Sequence, residues 1–194
     1  MNRRRWLVAA GALLLAAALA FGITWGLERL FTPGNATTVE SAPPSEPAST
    51  VPHITATLFY VTADGQALVG VRREVPLAGN PVDQGRQILD AQLGNPAPDL
   101  VAAIPAGTSV RAFYISERSD AFVDLSAEIA ANHPRGSTAE LLTVYAVVNA
   151  VTANLPAIQR VQILIDGKEV DTLAGHVDLR RPLARDDSLV RSGQ

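Results

Sequence analysis

Residues 136–179, GSTAELLTVYAVVNAVTANLPAIQRVQILIDGKEVDTLAGHVDL, read as one continuous unit: a helix, a strand, a tight turn and a second short strand. Ser137 with Glu140 after it is a capping-box signature, and Pro134 and Gly136 punctuate the entry. Leu141, Val144, Tyr145, Val148, Val151 and Leu155 recur at helical spacing, and Leu142 and Val147 widen that stripe beyond a one-sided surface helix. Pro156 stops the helix, because it lacks an N–H and clashes with the preceding turn. Val161, Ile163 and Ile165 then alternate with Gln162 and Leu164, as in a strand with one buried face. Asp166 and Gly167 form a structural turn of the type that tolerates two positive φ angles, which makes the strand the first arm of a hairpin.

Upstream, the same vocabulary repeats. Ile54–Val61 and Leu68–Val75 read as strands joined at Asp64-Gly65, with Gly70, Arg72 and Glu74 on a wet face. Asn80, Pro81 and Asp83 open a helix as cap, first-turn proline and first-turn acid. Val82, Ile88, Leu89 and Leu93 give it an apolar stripe, and Gly94-Asn95-Pro96 ends it. Val110–Ile115 and Ala121–Leu125 supply another strand pair. The order hairpin, helix, hairpin, helix, hairpin predicts an α+β fold, a mixed sheet with two helices packed on one face.

The N-terminus sets the compartment. Arg3, Arg4 and Arg5 precede an apolar run from Trp6 to Leu27. A helix of that length spans roughly the 30 Å hydrocarbon core, and the arginines orient it with the remainder outside the cytoplasm. Residues 1–30 are expected to be a transmembrane anchor, with a cleaved signal sequence and secretion as the alternative, since Ala18-Leu19-Ala20 fits the small-x-small rule. Residues 31–52, rich in Pro, Ser, Thr and Ala, read as a linker that cannot bury enough surface to order itself. Residues 53–185 form the folded domain, and residues 186–194 have no periodic pattern and are expected to be a disordered tail.

The residues that could carry chemistry are few. With no cysteine among the 194 residues there is neither a lipobox nor a thiolate site. His53, His133 and His176 stand at no helical spacing that would clamp a metal, and the glycines form no phosphate loop. The net charge of −3 and the short pairs Arg72-Arg73 and Arg180-Arg181 give no nucleic-acid footprint. No catalytic, cofactor-binding or metal-binding residue is therefore assigned. Asn149, Thr152 and Asn154 are polar positions on a helix apolar on several sides. They mark it as a candidate interaction helix, because apolar breadth beyond one face needs a cover.

The stretches LFYVTADGQALVGVRREV, PVDQGRQILDAQLGNP, VRAFYISERSDAFVDLS and LTVYAVVNAVT…VQILIDGKEVDTLAGHVDL together resemble a GerMN domain, the module named for a spore-germination protein. The resemblance spans the folded part and is most specific in its last third. It implies a bacterial extracytoplasmic domain, similar to the ring-building motifs of membrane-associated assemblies, and describes no catalytic residues. This chain carries one such copy where the founding pattern has two, and it lacks the lipobox cysteine. Two functions follow from different classes. The first is a membrane-anchored, non-catalytic envelope module, linked to sporulation, germination or envelope assembly. Its partner would be an envelope protein, a cell-wall component or another copy of itself. The second is a cell-wall hydrolase using paired carboxylates such as Asp124 and Asp178.

Overall fold

The computed structural model describes residues 51–191, and the anchor and nearly all of the linker expected from the sequence lie outside them. Among the described residues no helix is long and apolar enough to cross a membrane. The chain forms β1 (His53–Thr62), β2 (Leu68–Pro76), α1 (Pro81–Gln92), β3 (Leu100–Val101), β4 (Val110–Ile115), β5 (Asp120–Leu125), α2 (Glu128–Ala131), α3 (Ser137–Asn154), β6 (Arg160–Ile165), β7 (Lys168–Glu169) and β8 (Leu183–Ala184), then a 3-10 turn at Asp187–Leu189.

The strands make two sheets, where a single mixed sheet was expected. In one, the order is β2-β1-β3; in the other, β4-β5-β6-β7, with β8 also on β6. β5 and β6 run parallel, from Asp120 opposite Arg160 to Leu125 opposite Ile165, and α3 lies in the crossover between them. The sheets do not merge because the edge of β1 that a further strand would need is taken by helix side chains. Asn154 accepts from the Thr57 N–H at 2.7 Å and donates to the Thr57 carbonyl at 2.8 Å. Gln92 does the same for Phe59, at 2.7 and 2.6 Å. Each carboxamide replaces one residue of a missing neighbour strand.

α1 starts as the sequence requires: Asn80 Oδ1 accepts from the Asp83 N–H at 2.9 Å. Gly85, in its middle, is buried against Phe113 of β4, and any Cβ there would overlap the ring. α3 starts differently from its signature. The cap is Gly136, at φ 134°, with no side-chain cap bond, and Glu140 does not return to the helix start. α3 touches α1, β1, β6, β8 and the 3-10 turn, so strands of both sheets flank it and no polar face remains. Leu142, Val144, Ala146, Val147, Val148, Ala150 and Val151 are all buried, while Leu141 and Tyr145 of the expected stripe are partly exposed. The core runs continuously from Ala56, Leu58 and Tyr60 through Ile88 and Leu89 to Val161 and Ile163.

The tail is a second correction. β8 pairs with the start of β6, Asp186 is held by α3, and Val190 bridges to Leu68. The fold therefore extends past Arg185 to Arg191, whose N–H donates to the Leu68 carbonyl at 2.8 Å and whose guanidinium meets Asp64 at 3.0 Å.

Candidate functional site

Three polar clusters and one cleft stand out. The first is built around Glu140, which is fully buried. Its Oε1 accepts from the N–H groups of Leu173, Ala174 and Val177 at 3.0, 2.8 and 3.2 Å. Its Oε2 accepts from the His176 N–H and from His176 Nδ1, both at 2.8 Å. Loop 173–177 is thus wrapped around a carboxylate as a nest of donors. Burial pushes the Glu140 pKa up, but the Ala174, Val177 and His176 donors outweigh it and hold the carboxyl below its ordinary value.

The second cluster joins a strand irregularity to the hairpin turn. The register of β4 shifts between Val110 and Ala112, leaving Arg111 as the extra residue. Its guanidinium reaches Asp124 at 3.2 Å and Asp166 at 3.0 Å. Asp124 also accepts from the Gly167 N–H at 2.7 Å. Asp166 and Gly167 have φ of 51° and 74° and join Ile165 to Lys168 as a two-residue turn. The third cluster is Asp120, held by Arg160 at 2.8 and 3.1 Å across the β5–β6 pair.

Asn149, Thr152 and Asn154 do not present a free face. Asn149 is fully buried and clasps Asp186, accepting from its N–H at 3.1 Å and donating to its carbonyl at 2.9 Å. Thr152 donates to the Val148 carbonyl within the helix, and Asn154 holds Thr57. Most of the apolar breadth of α3 is covered by its own chain, while Leu141 and Tyr145 stay partly exposed.

The histidines divide similarly. His53 is exposed at the start of β1, and His176 belongs to the Glu140 nest. Thr143 donates to the Ala103 carbonyl at 2.6 Å, so its hydroxyl oxygen accepts from His133 Nε2 at 3.0 Å and His133 carries its proton there. Among the described residues no group of three or more His, Asp or Glu is placed to hold a metal ion. Of the carboxylates singled out for hydrolysis, Asp124 has both oxygens engaged. Asp178 is exposed and bonded to Arg180, which holds it well below the usual carboxylate range. Asp178 does not retain the proton that a general acid must deliver near neutral pH.

The cleft, of about 290 Å³, is lined by Pro81, Ile115, Ser119, Leu155, Pro156, Ala157 and Ile158. It lies where the start of α1, the β4–β5 turn and the α3–β6 connection meet. Val82, beside it in sequence, is exposed although its place in the helical stripe predicts burial. Ser119 holds a positive φ of 62°. That backbone is kept by the bonds from Ser119 N–H to Ser116 and from Gln159 N–H to Ser119. No titratable side chain lines this cleft, so it can take an apolar group but offers no acid or base beside the Ser119 hydroxyl. Sequence pattern missed it because its walls come from three connections and not from any one periodic element.

Residues 57–171 match the model of the Germane family, sporulation and spore germination. The chain belongs to this family. Its fold resembles a GerMN domain in two solved structures from Bacillus subtilis. The first GerMN domain of the sporulation protein GerM matches at 21% identity and TM-score 0.50, over 69% of this chain and 96% of that one. The tandem GerMN domains match at 18% identity and TM-score 0.51, over 70% of this chain and 46% of theirs. A candidate lipoprotein from Clostridium perfringens matches at 25% identity and TM-score 0.50, over 71% of this chain and 91% of that one. No curated protein sequence matches it. The family and the likeness in fold agree with the GerMN resemblance of the sequence, and the match covers the Glu140, Asp124 and Asp120 carboxylates but ends before loop 173–177.

Proposed function

We propose that this Germane-family domain is a non-catalytic binding module of the bacterial cell envelope. It is held outside the cytoplasmic membrane by the apolar segment at residues 6–27, and it acts in sporulation, germination or envelope assembly through a protein or cell-wall partner. The observation that carries the reading is the division of the surface. The buried carboxylates Asp120, Asp124 and Glu140 are each tied to the protein's own donors, while the cleft beside Pro156 is apolar and uncharged. Such a cleft suits an inserted apolar side chain. The candidate lipoprotein among the similar structures and the arginines ahead of residues 6–27 both support the compartment.

Photo-crosslinking in intact cells tests this, with probes at Val82 and Ala157 beside the cleft and a control at the exposed Asp90 of α1. Protease accessibility in spheroplasts is read on the same cells. The expected result is a domain digestible from outside and an adduct formed from the cleft positions alone. A protected cytosolic protein, or equal and sparse labelling from all three positions, would overturn the proposal.

A further inference from the structure

The strand edges of this domain are treated unequally. On β1, Asn154 and Gln92 occupy Thr57 and Phe59, and β3 pairs with Val61 and Thr62. On β4, the Arg86 guanidinium covers the carbonyls of Val110 and Arg111 at 3.1 and 3.3 Å. β6 has β7 and β8 on its outer side. β2 is covered only at its first residue. Since Thr57 and Phe59 turn their backbone groups away from β2, the pairs that exchange both bonds are Ile54 with Val75, Ala56 with Arg73 and Leu58 with Val71. Leu68, Gly70, Arg72 and Glu74 therefore point their N–H and C=O groups outward. Leu68 is taken by Arg191, and no described residue reaches the outward groups of Gly70, Arg72 and Glu74.

We infer that this edge pairs with the same edge of a second copy of the chain, antiparallel, with the two-fold axis passing between the two Arg73 residues. Backbone phase admits this register, and charge selects it among those the phase admits. It places Arg72 opposite Glu74 of the second copy as a pair exchanging both hydrogen bonds, so the outward groups meet one another. The same pairing sets opposite charges side by side on the exposed face, twice by symmetry. Centring on Arg72 instead would oppose arginine with arginine, and centring on Glu74 would oppose glutamate with glutamate. Gly70 falls opposite Pro76, whose carbonyl can accept and whose missing N–H ends the ladder. The cost is Arg73 facing Arg73 on the inner face. It is reduced because each guanidinium is already drawn to its own Asn95 carbonyl at 2.8 Å and lies 5.4 Å from the Tyr60 ring centre. A charged edge is commonly a guard against pairing, but this one carries opposite charges two residues apart, which attract in this register. Two pairs of this kind give a weak dimer, and its use in the cell rests on the tethering proposed above, which concentrates the copies.

The chain has no cysteine, so single-cysteine variants report cleanly. Full-length chains carrying R72C and E74C are expressed together or separately in the cell envelope and oxidised. Disulfide dimers are expected from the mixture and not from either variant alone, since only the mixed pair is directly opposite. Between two differently tagged full-length chains, R72E in both should lower co-purification about tenfold, and R72E/E74R should restore it. Absence of disulfide dimers, equal linkage in all combinations, or failure of the double exchange to restore association would overturn the inference. The spheroplast topology and the cleft adduct are measured separately, so a failed dimer with both of those intact removes this pairing alone.

Discussion

Glu140 follows Ser137 at the spacing of a capping box, yet its carboxylate is occupied entirely by loop 173–177. The capping signature is local, and the stronger claim came from donors more than thirty residues away, which no local pattern displays. Replacing Glu140 by Gln keeps the shape but turns an N–H₂ toward N–H groups that already donate. E140Q should therefore lose roughly 2–4 kcal/mol in denaturant unfolding, because buried donors are left without acceptors. The pH dependence has a definite sign. The folded-state pKa of Glu140 is lowered, so its contribution is fully present above the ordinary carboxylate range and is lost as pH falls through the depressed value. The wild-type midpoint should drop more steeply than that of E140Q on acidification below about pH 4.5, the region where an unperturbed glutamate titrates. Parallel curves would show that Glu140 is not the group responsible. Gly85 makes the opposite point about reading single residues. In a helix interior glycine looks like a propensity defect, and Ala would ordinarily gain about 1 kcal/mol there. Here the Cβ would strike the Phe113 ring, so Gly85→Ala should lower stability in thermal melts, by about 1–3 kcal/mol. G85A/F113L, which gives the methyl room, should recover part of that loss.

Among the elements, what was legible in the sequence depended on how local the cause was. The Asn80 cap and the Asp166-Gly167 turn are set by adjacent residues, and the structure has both where the sequence puts them. α3 could not be read as a surface helix because its neighbours belong to two different sheets, so burial on most sides weakened the amphipathic signal. Its polar residues then look like a solvent or partner face, when in fact Asn149 and Asn154 hold backbone from the 3-10 turn and from β1. The same long-range stitching by Gln92 explains why one sheet became two, since amide side chains fill an edge that the strand pattern alone leaves to another strand. Asn154→Leu keeps approximate volume but leaves the Thr57 N–H and C=O unmatched at a partly buried edge. It should cost about 2–3 kcal/mol in chemical denaturation. Thr152→Val removes only a back-bond to Val148 and should change stability by less than about 1 kcal/mol. Equal effects at the two positions would mean that the β1 edge does not depend on the amide.

At the scale of the whole domain, the decisive surprise is where it ends. Residues 186–194 lack periodicity, and aperiodic polar segments ordinarily fray. Their order through Arg191 comes from single-residue anchors spread over separate parts of the fold. Asp186 is clasped by Asn149, Val190 bridges to Leu68, and Arg191 reaches Leu68 and Asp64. Each anchor is small, but one of them fills the hydrogen-bonding capacity of a fully buried amide at the centre of α3. Ending the chain after Arg185 would leave that amide facing a void or entering water, and would uncover the Leu68 end of the open β2 edge. The full chain truncated there should lose about 2–3 kcal/mol, most of it from Asn149. N149L within the truncated chain should then add little further loss, because the partner backbone is already gone. In the intact chain N149L alone should cost nearly as much as the truncation. A double-mutant cycle by urea unfolding measures this directly. Additive losses would show that the tail and Asn149 act independently, and that residues 186–191 contribute no more than surface contact.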